Sequence, residues 1–422
     1  VANFRLHITR FGAKGDGLGE GPDGIVFVPR SIPGDVVLVN RVFDDPQLLA
    51  IETPSPHRVP PMCSYFGECG GCVVQEAALP TYLEWKRGLV LDAIKPLAST
   101  EIVQPIIDAH GLGRRRITLH ARYQNGTVVV GFMQARSHTL IPIEHCPILT
   151  EGLKDAPAIA RALAQPLSTE SKPLDLVMTD TESGVDVDIR GHGPVSERKI
   201  QIFLHLAEEY DLARVAIHGQ TIVERRKPYI HIGTVAVALP PGAFLQASKL
   251  GETVLGDLVT QSVGATKKIA DLFSGLGTFA LRLAATHAVH AVEESRPALD
   301  ALDRAARETR GLKPLTTEHR DLFRRPLSVQ ELQNFDCVVL DPPRSGAEAQ
   351  VTNLARSTVP RVVSVSCNMT TFTRDAAILV NGGYALKMIT PVDQFRYSSH
   401  LELVGVFERK ETDLVKKRRL LG

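Results

Sequence analysis

The alternation of apolar and polar positions divides the chain into three stretches of different texture. In the first, FRLHI alternates residue by residue, a glycine-rich turn (GAKGDGLGEGPDG) leads into IVFVP, and Pro33-Gly34-Asp35 turns the chain into VVLVNRVF. Short strands spaced by Gly and Pro predict a small all-β module over 1–55, with the shape of an OB-like barrel. Pro54, Pro56, Pro60 and Pro61 stiffen the connector that follows. The second stretch, 56–250, is α+β: YLEWKRGLVLDAI and ERKIQIFLHLAEEYD carry helical periodicity. RRRITLHARY, TVVVGFM and VDVDIRG read as strands of an antiparallel sheet, with RVAIH and TVAVAL as further strands and Trp85 as a core residue. The third, 251–422, alternates apolar strands with amphipathic helices, which predicts a doubly wound, Rossmann-like α/β sheet. There RVVSVS (361–366) is a buried strand, and TTFTRDAAILV a helix with Thr370 or Thr371 as N-cap.

The ends of those strands carry the chemistry. Cys367 stands where RVVSVS gives way to a helix, and the positive backbone field of that junction is expected to favour its thiolate. A lone cysteine is usually inert packing, as Cys337 inside FDCVVL is expected to be; the company of Cys367 argues otherwise. DPPRSG (341–346) closes a neighbouring strand with Asp341 and two prolines, a rigid lip over the switch-point crevice. HLELV, read as a strand, sets His400 and Glu402 on one face and Leu401 and Leu403 on the other. Upstream, Gly275-x-Gly277-x-x-Ala280 joins a strand to a helix, and Glu293 ends the next strand. That signature places an adenosine at the loop with its ribose hydroxyls on the acid, and both nicotinamide and S-adenosylmethionine enzymes share it. Asp321, after a third strand, is positioned for the adenine amino group.

Composition narrows the class. At 422 residues, with 44% hydrophobic and 23% charged residues and a net charge of +1, the chain is an ordinary globular protein without a global basic field. Arg114 to Arg116, Arg225 to Lys227 and Lys416 to Arg419 are local basic clusters, each readable as a solvated face or a nucleic-acid patch. The first residues carry charges where a signal peptide needs an apolar core, and nothing resembles a membrane span, so a cytoplasmic monomer without membrane contact is expected. Six cysteines do not make a disulfide scaffold in so long a chain. Cys63, Cys69 and Cys72 in CSYFGECGGC, with Cys146 in IEHCPIL, point to a metal centre; spacing leaves a [4Fe–4S] cluster and a structural zinc equally open. Four ligands leave no open iron, which disfavours radical cleavage of S-adenosylmethionine.

These motifs, in this order and over nearly the whole length, resemble the S-adenosylmethionine-dependent RNA 5-methyluridine methyltransferases, in particular the iron–sulfur ribosomal RNA branch. FLQ (244–246), DLFSGLGTF, LDPPRSG, SCN and HLE look like that family's catalytic blocks. C-x5-C-x2-C with the distant Cys146 looks like its [4Fe–4S] site, and 1–55 like its RNA-binding TRAM domain. The resemblance implies a class I methyltransferase domain at the C-terminus, with Cys367 as nucleophile and Glu402 as base. It places Gln246, Phe273, Thr278, Glu293, Asp321 and Asp341 at S-adenosylmethionine, beside Gly275 and Gly277 of the glycine loop; from their places in the motifs, Phe244, Arg344 and His400 are expected at the RNA. Ribosomal RNA is favoured over transfer RNA as the partner. The chain departs from the family pattern at Ser248 (commonly Asn), Met369 (Pro) and Arg396, Tyr397 and Ser398 (Pro-His-Thr), all flanking the base pocket. A nicotinamide dehydrogenase leaves DPPR, SCN and HLE unexplained, and a carbon-5 cytosine methyltransferase places its cysteines in Pro-Cys contexts absent around Cys367. A non-catalytic RNA-binding iron–sulfur protein fits the first half alone.

Overall fold

The computed structural model describes residues 3–42, 45–135, 137–167 and 172–409, so the basic run at 416–419 lies outside the described residues. Asn3–Phe11, Gly17–Gly21, Gly24–Val28, Val36–Val42 and Asp45–Thr53 form a five-stranded antiparallel sheet, ordered third, second, first, fourth, fifth. The glycine-rich run is thus not only a turn, because Gly17–Gly21 is itself a strand. A Cβ on Gly17 would lie 2.2 Å from Ser31 Oγ, and one on Gly19 2.5 Å from the His7 carbonyl. Glycine serves here for close strand approach. Leu6, Ile8, Val26, Val28, Val37 and Val39 form the module's core. The edge strands Gly24–Val28 and Asp45–Thr53 come into contact, without a ladder between them among the described residues.

The central region is a seven-stranded sheet running Gln220–Glu224, Arg214–Ile217, Gly184–Arg190, Leu174–Thr181, Arg116–Gln124, Thr127–Met133, Leu140–Pro142. Helices Ala156–Ala164 and Glu197–Glu209 bury Ala160, Leu163, Phe203 and Ala207 against Leu119, Val130 and Leu176. The sheet is mixed rather than antiparallel, since Arg214–Ile217 runs parallel to Gly184–Arg190. TVAVAL is not part of it. Val235–Ala238 pairs with Tyr229–Ile232 in a separate hairpin, whose Ile230, Val235 and Val237 join the core of the C-terminal sheet.

That C-terminal sheet has eight strands: Leu315–His319, Ala288–Glu293, Lys268–Leu272, Cys337–Leu340, Arg361–Ser366, Glu402–Arg409, Tyr384–Asp393 and Ile107–Asp108. The first five are parallel, and the central one, Cys337–Leu340, is apolar throughout, as expected of a strand buried on both faces. Glu402–Arg409 is inserted antiparallel between Arg361–Ser366 and Tyr384–Asp393. The last pair of the first ladder is Ser366 with Leu403, so Cys367 leaves one strand where Glu402 begins the next. Helix Leu79–Ile94 contributes Val90 and Ile94 to the same layer, beside Phe372 and Leu379 of helix Met369–Asn381. Trp85, as expected, is core: it packs with Phe11 and Tyr82 and donates from Nε1 to the Gly12 carbonyl (2.9 Å).

Candidate active site

A cleft of about 610 Å³ opens at the carboxyl ends of the parallel strands, roofed by the segment 240–247 and by Arg114 and Arg116 from the central region. Of the residues singled out from sequence, Phe244, Gln246, Phe273, Gly275, Thr278, Glu293, Asp341, Arg344, Cys367, His400 and Glu402 line it. Gly277 and Asp321 do not. Gly277 (φ 88°) sits where a Cβ would come within 2.4 Å of Leu302 Cδ1, so it permits packing of the loop on helix Arg296–Glu308. Asp321 turns back on its own chain: its Oδ1 accepts from the Phe323 and Arg324 amides (2.9 and 3.1 Å). Phe323, which sequence reasoning did not single out, faces the cleft instead, its ring 5.5 Å from that of Phe273.

The glycine loop is pinned by its acid. Glu293 accepts from the Gly275 amide through Oε2 (2.9 Å) and from the Ser295 amide through Oε1 (2.7 Å). Phe273, at the head of the loop, holds φ at 64°, a left-handed conformation unusual for a bulky residue and typical of functional loops. The helix after the loop is only Ala280–Leu283, shorter than its sequence pattern predicts, because the chain turns back at Thr286 and His287 onto Leu283. Beneath the loop lies Asp271, wholly buried and without a hydrogen bond of ordinary geometry to either oxygen. Burial, then Asp341 and Glu293, push its carboxyl well above the usual range, and only the Ala280 amide opposes them.

Carboxyls also dominate the reaction end. Burial raises Glu402 to about 8, with Asp341 adding to the shift, while the Gln394 hydrogen bond and Arg344 oppose it. Asp341 is raised to about 7 by burial and Glu293. Cys367 is pushed up to about 11, first by burial and then by Glu402 and Asp341, with Arg344 opposing. In place of the expected thiolate, the structure holds the thiol's pKa above its ordinary value. Asn368, not Thr370 or Thr371, is the N-cap of Met369–Asn381, and its Oδ1 takes the Thr370 and Thr371 amides (2.9 and 3.4 Å). Burial and the two carboxyls outweigh the backbone field of the junction.

Glu402 is held by a partner that sequence reasoning passed over. Gln394 donates from Nε2 to Glu402 Oε1 (3.1 Å) and to Gln246 Oε1 (2.6 Å), tying the base position to the FLQ block. Ser248, one of the departures, caps helix Lys249–Val263: its Oγ accepts from the Gly251 amide (2.9 Å) and donates to the Ala109 carbonyl (2.5 Å). Met369 occupies the first helical position, where proline is equally at home. Arg396 pairs with Asp108, Tyr397 adopts φ 65°, and Ser398 Oγ bridges the Phe395 carbonyl and the His400 amide. His400 precedes the strand rather than lying in it. Its Nε2 stands 3.4 Å from Arg344, and burial, Arg344, Lys86 and Arg114 hold its pKa down, so it accepts from the guanidinium as a neutral ring.

The arginine run is not one solvated face. Arg115 is buried on Glu252 (2.5 Å) and the Gln246 carbonyl (3.1 Å), whereas Arg114 lies over the Phe395 ring (5.7 Å) and Arg116 over Phe244 (5.9 Å). Phe244 is 70% exposed at the mouth of the cleft. Arg225 and Arg226 both close on Asp211 (2.7 Å each), a surface clasp away from the cleft.

The four cysteines of the expected metal centre share one neighbourhood. The Gly70 amide donates to the Met133 carbonyl (3.0 Å), and the Glu144 amide to Tyr65 Oη (3.0 Å), which brings the 63–72 loop against the segment holding Cys146. Burial raises Cys72 to about 12 and Cys146 to about 11, and each also feels Cys63 and Cys69. No group of three Cys, His, Asp or Glu side chains among the described residues is drawn together closely enough to hold a metal ion. Cys146 and Cys72 lie near enough to Arg114, which lines the cleft, to act on its charge.

Comparison with known proteins agrees with this geometry. Residues 241–411 match a family model described as tRNA (Uracil-5-)-methyltransferase. The chain is 42% identical over 409 residues to an uncharacterized RNA methyltransferase of Agrobacterium fabrum, across 95% of this chain and 98% of that one. It is 27% identical over 425 residues to the 23S rRNA (uracil(1939)-C(5))-methyltransferase RlmD of Shewanella woodyi, across 96% of each. Its fold is similar to that of the Pyrococcus abyssi tRNA (uracil-54, C5)-methyltransferase, solved with S-adenosyl-L-homocysteine, with a TM-score of 0.72 at 21% identity, over 96% of this chain and 100% of that one.

The parallel strands with their antiparallel insertion, the glycine loop and the acid at the end of the next strand give the chain the class I S-adenosylmethionine-dependent methyltransferase fold. Within that class the chain belongs to the RNA (uracil-5-)-methyltransferases, enzymes that modify a pyrimidine carbon in RNA.

Proposed function

We propose that this enzyme methylates carbon 5 of a uridine in 23S ribosomal RNA through a covalent bond between Cys367 and carbon 6. The observation that carries the reading is the meeting of Cys367 and Glu402 at the facing ends of adjacent antiparallel strands, in one cleft with Asp341 and Arg344.

Carbon 5 of uracil is a weak nucleophile. Cys367 first gives up its proton to solvent; addition of the thiolate to carbon 6 then turns the ring into an enolate, whose charge Arg344 would stabilise. S-adenosylmethionine, when bound, supplies an electrophilic methyl group. Phe273, Gly275, Thr278, Glu293 and Asp341 would hold it, with Gln246 beside the reacting end, and the buried, acid-rich floor fits a sulfonium cation. Positive charge entering the cleft lowers the pKa of every group that Asp341 and Glu402 raise, Cys367 included. Once carbon 5 has taken the methyl group and the donor has left as a neutral thioether, Glu402 takes the carbon 5 proton, the carbon 6–sulfur bond breaks, and the sulfur leaves as a thiolate that regains a proton from solvent. The target base must leave its stack to reach the cleft, and exposed Phe244 is placed to stack on it.

RNA transcribed with 5-fluorouridine tests the reading, because a fluorine at carbon 5 cannot leave as a proton. The wild-type enzyme should stay covalently attached after methylation, and Cys367→Ala should not; trapping by that variant overturns the assignment.

Cys63, Cys69, Cys72 and Cys146 would hold a [4Fe–4S] cluster with no open iron, serving as a clamp between the loop and the central sheet. The N-terminal sheet would act as a TRAM-like RNA-binding module. Broad visible absorption lost in Cys72→Ser supports iron, and stoichiometric zinc in an anaerobic preparation rejects it. We place the enzyme in the cytoplasm as a monomer. Transfer RNA is the second reading, favoured by the family description covering 241–411. Mapping 5-methyluridine in ribosomal and transfer RNA from cells with and without the gene decides between the two.

A further inference from the structure

The loop 394–400 begins with Gln394, which holds Glu402, and ends with His400 against Arg344. What fixes this loop comes from 307 residues away in sequence. Lys86, on helix Leu79–Ile94, has no exposed side-chain surface. Its Nζ donates to Asp393 Oδ1 (2.5 Å) before the loop and to the His400 carbonyl (2.5 Å) at its end, with a longer contact to the Phe395 carbonyl (3.4 Å). Tyr82, one turn earlier on the same helix face, donates from Oη to Asp393 Oδ2 (2.7 Å) and accepts the Tyr397 amide (2.8 Å). Asp393 Oδ1 also accepts the Phe395 amide (3.0 Å). Tyr397, at φ 65°, spends its carbonyl on the amides of Val73 and Val74 (2.7 and 3.2 Å), immediately after Cys72.

A buried ion pair is not in itself a gain in stability over apolar packing of the same volume; its attested use is to specify one geometry. Here the ammonium joins the two ends of a seven-residue loop, and the tyrosine hydroxyl holds the middle in a left-handed turn that a non-glycine residue adopts only under constraint. We propose that Lys86 and Tyr82 are positioning residues for the methyl-transfer site: they seat the 394–400 loop so that Gln394 presents Glu402 to the carbon 5 proton. The inference rests on the reading of Glu402 as the base. The same anchor ties the loop to the chain leaving Cys72.

The test uses the full-length protein and in vitro transcribed 23S ribosomal RNA, with uridine or with 5-fluorouridine. Tyr82→Phe removes the bridging hydroxyl and keeps the ring. Should that variant prove poorly folded, Lys86→Met combined with Asp393→Asn removes both charges without leaving one unpaired. Trapping on 5-fluorouridine RNA needs the thiol and the methyl donor but no proton removal, so it should stay within about twofold of wild type, as should S-adenosylmethionine affinity. Turnover on uridine RNA should fall by about tenfold to a hundredfold, the scale expected when a catalytic group is displaced by about an ångström. Amide exchange across 395–400 should quicken in step. Unchanged turnover in both variants overturns the inference, and so does an equal fall in trapping and turnover, which would mark a general structural role. Failure of the wild-type enzyme to trap would instead reject the adduct mechanism beneath it.

Discussion

Replacing Glu402 with Gln should stabilise the enzyme at alkaline pH while stopping its turnover. The side chain is buried, and one oxygen already accepts from Gln394 (3.1 Å), a bond that the amide oxygen of glutamine keeps. What changes is the titration. Folding raises this carboxyl from 4.5 to about 8, so across that window the folded chain binds a proton that the unfolded chain has released. Stability contributed by the protonated form is therefore complete below the unfolded value and lost as pH climbs through the folded one. At 1.36 kcal/mol per pH unit, the full penalty of the ionised, desolvated carboxylate is roughly 5 kcal/mol. The variant escapes it. Urea unfolding without cofactor should separate the two proteins by less than about 1 kcal/mol near pH ~5 and by about 4 kcal/mol near pH ~8.5, with Glu402→Gln the more stable. The same variant should still form the 5-fluorouridine adduct but release methylated uridine RNA slowly. A stability difference that does not depend on pH would refute the argument, because an exposed or ion-paired carboxylate gives that result.

Since the base must be ionised, kcat/KM should rise by about tenfold between pH ~7 and pH ~9 in the wild-type enzyme, and a profile falling over that range contradicts the role of Glu402. Phe323→Ala removes the aromatic partner of Phe273 and should weaken S-adenosylmethionine binding about threefold to tenfold, the worth of such a ring contact; calorimetry on Asp321→Asn, whose parent carboxylate serves the local backbone, should show less. Arg115→Met strands buried Glu252 and frees the Gln246 carbonyl, and should cost about 3 to 5 kcal/mol in thermal unfolding. Arg114→Met should spare stability and weaken RNA binding in a filter assay at low salt.

Local pattern revealed what is locally determined. Strand ends and glycine turns follow from short stretches, so Cys367, Asp341, Glu293 and Glu402 were legible as chemical positions, and the structure brings all four to one cleft. Gln394 was hidden because its importance lies in two partners, Gln246 and Glu402, and the first is 148 residues away in sequence. Lys86 reads as one more charge on an amphipathic helix until its partners are seen. The thiolate expectation failed for a related reason: a helix terminus is visible in sequence, whereas burial and two folded-in carboxyls are not. TVAVAL carried a correct strand pattern but no information on which sheet would receive its apolar face.

The raised pKa of Cys367 has a consequence for how its sulfur meets reagents other than RNA. Peroxide and alkylating agents attack the ionised form of sulfur, so a site that keeps the proton in place until cationic donor and target arrive leaves its warhead disarmed between encounters. Burial and the neighbouring acids that raise the thiol would then slow its oxidation as well.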